Sequence, residues 1–139
     1  MRFMVIVKGD NSLDQAEPDP KAFAAMGKYN QALLDAGVLL AMDGLAPTTE
    51  GARVTFDNGK PTVKDGPFSE AKELVAGFWI IQVRNKEEAV EWAKRIPFMN
   101  GESVEIRRVM DSADFGEVMA PDHLERRKAF EAGQYGKSN

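Results

Sequence analysis

The sequence contains no cysteine, and its only histidine is His123. Without thiols, the chain cannot form disulfides, thiolate nucleophiles, iron–sulfur clusters or cysteine-built zinc sites. His123 lies in a charge-rich segment with no second histidine, and an isolated imidazole lacks the oriented partner that catalysis normally needs. Cysteine chemistry is therefore excluded, and histidine chemistry has little support.

The chain also lacks the patterns that bind nucleotides and charged polymers. It has 18 lysine and arginine residues against 22 aspartate and glutamate residues, a net charge of -4, which provides no basic surface for nucleic acid or anionic lipid. The stretch DGLAPTTEG has the spacing of neither a dinucleotide fingerprint nor a P-loop. We expect no cofactor, no nucleic-acid partner, and an unidentified small molecule as ligand.

No hydrophobic run is long enough to span a membrane, and the apolar run Phe3 to Val7 is too short for the core of a signal peptide. We therefore expect a cytoplasmic protein without membrane contact. The length of 139 residues, 43% of them hydrophobic, predicts one core. We place it in a domain at residues 1–110, followed by a C-terminal extension at residues 111–139 with a short helix from Pro121 to Ala132.

The first part of the domain has the pattern of a β-α-β unit. Phe3 to Val7 forms a continuous apolar strand, and Asp19 before Pro20 is typical of a helix N-cap. Gly37 ends this helix, and the apolar run Val38 to Leu45 predicts the next strand. These elements predict a strand, a helix and a second strand in sequence.

A second β-α-β unit follows a hairpin. Asn58-Gly59 separates two short alternating segments and is a strong hairpin signal. After it, ELVAGFWIIQV predicts a long strand, Asn85 and Glu88 suggest a capping box, and SVEIRRVM predicts the last strand. Two such units around an inserted hairpin predict a ferredoxin-like α+β fold with an antiparallel sheet.

The long strand is apolar on both of its faces. Phe78 and Ile80 point one way, whereas Trp79, Ile81 and Val83 point the other. Two helices can cover only one face of the sheet, and the other face would remain as a large apolar patch. We therefore expect a homodimer packed sheet to sheet.

The stretch KDGPFSEAKE, from Lys64 to Glu73, supplies the candidate catalytic groups. Asp43 ends another strand, and if it lies near Asp65 and Glu70 in the fold, such crowded carboxylates can act as acid and base with raised pKa values. Lys72 would then hold one carboxylate ionised. Two alternatives stay open: Asp65-Gly66-Pro67 is also good turn chemistry, and Asp43, Asp65 and Glu70 could hold a divalent metal, although their spacing matches no known loop.

The segment DGPFSEAKE closely resembles the DGPFAETKE signature of the bacterial DGPF proteins, a branch of the YCII-related family. AGVLLAMDGLAP, GARVTFDNGKPTV and SVEIRRVM resemble further segments of that family, and the resemblance extends from Met1 to Met110. It implies a dimeric α+β-barrel built from ferredoxin-like subunits. It does not imply an established reaction.

The resemblance also bears on mechanism. Many members of the wider family carry a histidine in the first helix near a strand carboxylate, whereas this helix reads FAAMGKYNQALLDAG, with Met26 or a neighbour at that place. A histidine–aspartate mechanism therefore does not transfer to this chain. Relatives with the signature often resemble proteins encoded beside extracytoplasmic-function sigma factors, which implies a stress-linked context.

Two functional hypotheses follow. In the first, the homodimer binds a small molecule in a pocket formed by Phe68, Trp79, Met26 and Tyr29, and carboxylates perform an isomerisation or elimination. In the second, the chain is a non-catalytic binding or regulatory module linked to the sigma-factor stress response. Its signature then holds the hairpin to the long strand and shapes the dimer surface.

Overall fold

The structure is a computed structural model that describes residues 1–99 and 101–135. Four strands form an antiparallel sheet in the order β2-β5-β1-β6, and the remaining two pair only with each other. In chain order the regular elements are β1 (Arg2–Gly9), α1 (Pro20–Asp35), β2 (Leu39–Gly44), β3 (Ala52–Asp57), β4 (Lys60–Asp65), β5 (Leu74–Gln82), α2 (Lys86–Lys94), β6 (Ser103–Arg108) and α3 (Pro121–Tyr135). The predicted ferredoxin-like α+β fold is confirmed. The sheet of the single chain is open and does not close into a barrel.

The helix starts follow from capping residues in the sequence. The Asp19 side chain accepts a hydrogen bond of 3.0 Å from the Lys21 N–H, with Pro20 at the first helical position. At α2, the Asn85 side chain accepts from the Glu88 N–H at 2.9 Å. The predicted capping box is only half right, because the Glu88 carboxylate accepts from the Arg84 N–H rather than from that of Asn85.

One face of the sheet is covered by α1 and α2. Strand register places Phe3 beside Ile81 and Val5 beside Trp79 on this face. These side chains pack with residues from both helices and the segments around them to form one core: Tyr29, Leu33, Val83, Ala89 and Ile96. Leu33 and Ile81 are the largest fully buried side chains of the described residues, so the core is centred between α1 and β5.

We call the opposite side of the sheet the open face. Its centre is made by Met4 and Ile6 of β1, which pair with Ile80 and Phe78 of β5. The predicted alternation of β5 is therefore confirmed. Ile80 is buried, but Met4, Ile6 and Phe78 remain half-exposed.

Strands β3 and β4 form the predicted hairpin, which we call the arm. Asn58 and Gly59 have φ values of 47° and 77°, the left-handed conformation that a tight hairpin turn requires. Every residue of both strands is exposed. One side of the arm is apolar, since Val54 pairs with Val63 and Phe56 pairs with Pro61.

The C-terminal extension packs against its own domain. Arg108 of β6 donates two hydrogen bonds, of 2.8 and 2.5 Å, to Asp114, and Arg2 lies 3.8 Å from Glu131 of α3. Helix α3 begins at Pro121 as predicted and continues to Tyr135, past the predicted end at Ala132. Residues 136–139 of the predicted extension lie outside the described residues, and the boundary at residue 110 stays a prediction.

Within residues 1–99 and 101–135, no helix combines the length and the apolar composition needed to cross a membrane.

Candidate functional site

Two adjoining cavities lie on the helix-covered side of the sheet. The outer cavity, of about 550 Å³, is bounded by the short 3₁₀ helix Asn11–Gln15, the first turns of α1 and the segments 45–47 and 74–76. The inner cavity, of about 490 Å³, lies between α1 and the ends of β2 and β5. Phe23, Met26 and Ala76 line both cavities, so the two spaces share a wall.

The cavities arise because α1 is only partly packed on the sheet. Tyr29 and Leu33 are buried, whereas Met26 is half-buried and Phe23 is 67% exposed. Below this part of the helix, Gly77 of β5 borders the inner cavity, and its missing side chain allows the backbone of β2 to approach closely. The loosely packed start of the helix leaves room for a ligand.

An aromatic wall supports the inner cavity. The Trp79 indole N–H donates to Asn30 Oδ1 at 2.8 Å, and the Tyr29 ring meets the Trp79 ring edge-on, with centroids 5.6 Å apart. The Tyr29 hydroxyl donates to the Trp92 carbonyl at 2.9 Å, and burial raises the pKa of Tyr29 to about 12. Trp79 is therefore held in one orientation, and Tyr29 acts as a neutral hydrogen-bond donor.

One side of the outer cavity is polar and is connected by hydrogen bonds to residues 65–71, which we call the signature turn. Asp14 lines the cavity and accepts hydrogen bonds from both the N–H and the hydroxyl of Thr48. The Thr48 hydroxyl oxygen accepts in turn from the Phe68 N–H at 3.1 Å. Three segments that are distant in sequence meet at this point.

The signature turn itself is closely packed. A Cβ added to Gly66 would lie 1.6 Å from the Thr48 carbonyl oxygen, so only glycine fits there. Phe68 is 8% exposed, with the Arg53 guanidinium 4.2 Å from its ring centroid. Glu70 accepts a 2.6 Å hydrogen bond from Lys64, and this contact holds the pKa of Glu70 below its ordinary value. The turn therefore joins the arm to the segment before β5.

Comparison with known proteins places this architecture in a family. The family model described as the YCII-related domain matches residues 1–113. The chain belongs to the YCII-related family. It is also similar to an uncharacterised protein of Rhizobium meliloti (strain 1021), with 30% identity over an alignment of 103 residues; the match covers 72% of this chain and 83% of the relative.

In this YCII-related chain, the four residues predicted as catalytic are spread over different surroundings. Asp43 is exposed at the end of β2 and borders the inner cavity. Asp65 ends β4 opposite Ala52, and Glu70 is ion-paired. Lys72, which was expected to hold one of the carboxylates ionised, is exposed, and the ion pairs of Glu70 are with Lys64 and Arg53 of the arm.

The geometry bears on the predicted acid–base roles of these groups. The pKa of Glu70 is shifted downward, opposite to the rise that a general acid would need. Asp65, Glu70 and Lys72 are not among the residues that line either cavity. Across residues 1–99 and 101–135, no three histidine or acidic side chains are grouped so that they could hold a metal ion. The catalytic roles themselves stay predictions.

The predicted pocket residues divide into two pairs. Met26 lines both cavities and Trp79 lines the inner one. Tyr29 is buried behind Trp79, and Phe68 is buried under Arg53, so neither of them lines these cavities. An aromatic residue in a polar turn either fills the adjacent core or lines a pocket. The burial of Phe68 corresponds to the first of these two outcomes.

Sequence reasoning missed Phe23, Asn30, Asp14 and Thr48. Phe23 and Asn30 could have been found, because spacings of three and four residues place them with Met26 on one side of the helix. Asp14 and Thr48 lie in two short 3₁₀ helices and are 34 positions apart in sequence, and no local pattern pairs them.

Proposed function

We propose that this YCII-related protein binds a small molecule with an apolar body in the outer and inner cavities, which act as one site. The shared wall of Phe23, Met26 and Ala76 carries this proposal. Each cavity has a volume within the range of roughly 300–1,000 Å³ that is common for small-molecule sites. Most of their lining residues are apolar, as is usual for such sites.

The charges around the cavities favour a ligand that carries an amine. Asp14, Glu17 and Asp19 line the outer cavity, and Asp43 borders the inner one. Among the described residues that line them, neither cavity has a lysine, an arginine or a histidine. Carboxylates attract a cation and repel an anion, and the low polarity of the surrounding wall strengthens both effects.

A matched pair of probes tests the ligand class. Titration calorimetry with 2-phenylethylammonium and 3-phenylpropionate compares opposite charges on nearly the same apolar body. We expect the ammonium ion to bind about tenfold more tightly or better, which is a difference of about 1.4 kcal/mol. This preference should shrink as salt is added, because the carboxylates are near solvent. Equal binding of the two probes, or tighter binding of the carboxylate, would show that the ligand class is wrong.

A cavity-filling substitution tests the location. Met26→Trp places a larger side chain in the shared wall and should abolish binding of 2-phenylethylammonium. Leu34→Trp is the matched control, because Leu34 lies on the same helix, is 52% exposed and lines neither cavity. Unchanged binding to a folded Met26→Trp variant would overturn the proposed site.

We also propose that two copies of the chain pack through their open faces, as the sequence predicted. The apolar centre formed by Met4, Ile6, Phe78 and Ile80 supports this assembly. Charged groups border it on one side, where Lys8 donates to both Glu73 and Glu105 at 3.1 Å. An apolar centre beside a polar rim is the usual composition of an interface between protein subunits.

Sedimentation velocity at micromolar concentration tests the assembly. Wild type should sediment as a dimer and Ile6→Arg as a monomer, because the substitution would place a large charged group at the apolar centre of the contact. Leu34→Arg, an equal charge change on the exposed side of α1, should stay dimeric. A monomeric wild type would refute the proposal.

Carboxylate catalysis is not part of the proposed function. Glu70 is an ionised acceptor of two arm cations, and its lowered pKa makes it a weak base. These observations favour a binding role over catalysis for the signature.

A further inference from the structure

The carboxylates around the outer cavity differ in how firmly they are held. Glu17 is exposed, and Asp19 caps the start of α1 by accepting a hydrogen bond from the Lys21 N–H. Asp14 is half-buried and lines the cavity wall. It is therefore the carboxylate of the outer cavity whose charge is best shielded from water.

Two hydrogen bonds from one residue orient the Asp14 carboxylate. The Thr48 N–H donates to Oδ1 at 3.0 Å, and the Thr48 hydroxyl donates to Oδ2. Each carboxylate oxygen has two lone-pair positions, so each can still accept one further hydrogen bond. An ammonium group in the cavity can supply it.

The direction of the Thr48 hydroxyl is fixed by the signature turn. The Phe68 N–H can only donate, and it donates to Thr48 Oγ1 at 3.1 Å. The hydroxyl hydrogen must then point to the remaining neighbour of this oxygen, the Asp14 carboxylate, which can only accept when it is ionised. The order of donation therefore runs from Phe68 through Thr48 to Asp14.

Further contacts hold the two cavity-wall segments to the same turn. Asn11, in the 3₁₀ helix that contains Asp14, donates to the Ser69 carbonyl at 3.1 Å. The Gly66 N–H donates to the Gly51 carbonyl at 3.0 Å, just after the short helix that begins with Thr48. The signature turn does not line the outer cavity, but it contacts both segments that meet at Asp14.

We propose that Asp14 binds the ammonium group of the ligand, and that Thr48 is a positioning residue through which the signature turn orients Asp14. This inference rests on the proposed cavity and its amine ligand. It gives the signature a role in ligand selectivity that needs no signature residue to touch the ligand.

Calorimetry with 2-phenylethylammonium and 3-phenylpropionate tests the role of Asp14. Asp14→Asn should weaken binding of the ammonium ion about tenfold or more, since a charged hydrogen-bond acceptor is lost, and should remove its preference over the carboxylate probe. Glu50→Gln is the matched control, because it removes the same charge from an exposed residue that does not line the cavity. It should change the affinity less than about twofold, as expected for an exposed charge that is screened by solvent.

Two substitutions of Thr48 test positioning. Thr48→Val removes the hydroxyl while keeping the shape, and should weaken binding of the ammonium ion by about three- to tenfold without changing that of 3-phenylpropionate. Thr48→Ser keeps the hydroxyl and should restore the selectivity. If Thr48→Val only destabilised the fold, binding of both probes would weaken equally. Thr48→Ser would then not restore the binding of the ammonium ion selectively.

The outcomes separate this inference from the proposed function. If wild type binds the ammonium probe and Asp14→Asn keeps the full preference, the role of Asp14 is wrong while the cavity stands. Unchanged selectivity in Thr48→Val would refute the positioning role. If wild type binds neither probe, the proposed function is wrong, and the role of Asp14 that rests on it is wrong as well. If Thr48→Val does not fold, Thr48→Ala removes the same hydroxyl and should show the same selective loss of ammonium binding, and unchanged selectivity in that variant would refute the positioning role.

Discussion

The strands of the core and those of the arm both place successive side chains on opposite faces, yet the apolar side chains of the core are buried and those of the arm are exposed. Val5 and Ile81 are 2% and 1% exposed beneath the helices, whereas Val63 and Phe56 on the apolar side of the arm are 65% and 69% exposed. A two-stranded hairpin has no layer of its own to cover it and is marginally stable alone. Alternation predicts which side chains share a face, and only a covering layer determines whether that face is buried.

The signature turn lies between these two regions and explains how the arm is held. Phe68 is buried, and Glu70 binds cations from both arm strands, Arg53 and Lys64. The turn also reaches the cavity wall through Thr48. The residues that give the family resemblance thus connect an exposed arm to a packed domain.

The largest expected difference between core and arm comes from truncating an apolar side chain in each. Leu33→Ala should lower the free energy of unfolding by about 2–5 kcal/mol, because Leu33 is fully buried and a cavity would remain. Val63→Ala should change it by about 0.5 kcal/mol or less, as for most surface positions. Urea denaturation measures both. Similar losses would mean that the arm is buried in solution, for example by a second copy.

A glycine substitution tests the joint between the two regions. Gly66→Ala should destabilise the protein by about 1–3 kcal/mol, the range for overpacking, because the new Cβ would overlap the Thr48 carbonyl oxygen. Gly51→Ala is the control, since its Cβ would lie 3.6 Å from the same oxygen, an ordinary contact. Thermal unfolding compares the two variants, and equal melting temperatures would show that the turn relaxes without cost.

The smallest effect concerns titration. Burial raises the pKa of Tyr29 from 10.0 to about 12, so the stability linked to this group is complete below pH 10. It is lost as the pH rises toward 12, because the unfolded chain ionises first. Ultraviolet titration of Tyr135→Phe, which leaves Tyr29 as the only one of the two tyrosines, measures this pKa. A pKa near 10 would show that water reaches the Tyr29 hydroxyl in the folded protein, so that the core shields it no better than the arm shields its own side chains.

Much of the fold could be predicted because its determinants are local. Asp19 and Pro20 start α1, Asn58 and Gly59 turn the hairpin, and the alternation along β5 assigns its two faces. The Glu88 carboxylate was assigned to the wrong N–H, because Arg84 and Asn85 are adjacent in sequence and the pattern does not distinguish them. Capping residues and turn glycines act over a few residues, and sequence reasoning is accurate on that scale.

The site was predicted less well because it depends on contacts between distant segments. Met26 and Trp79 were expected in a pocket and do line the cavities. Lys72 was expected to hold a carboxylate ionised, whereas the cations that pair with Glu70 are Arg53 and Lys64 of the arm. Side chains that meet through folding leave no spacing rule in the sequence.

The sequence by itself excluded cysteine chemistry and predicted the order of strands and helices, the hairpin and the family. The family follows from the resemblance of whole segments, and the others follow from composition or from interactions between near neighbours. The tertiary structure alone decided that Asp14 and Thr48 meet and that Glu70 is an ionised acceptor. It also decided that the first turns of α1 leave a cavity beside the sheet, because packing joins residues whose separation along the chain carries no signal.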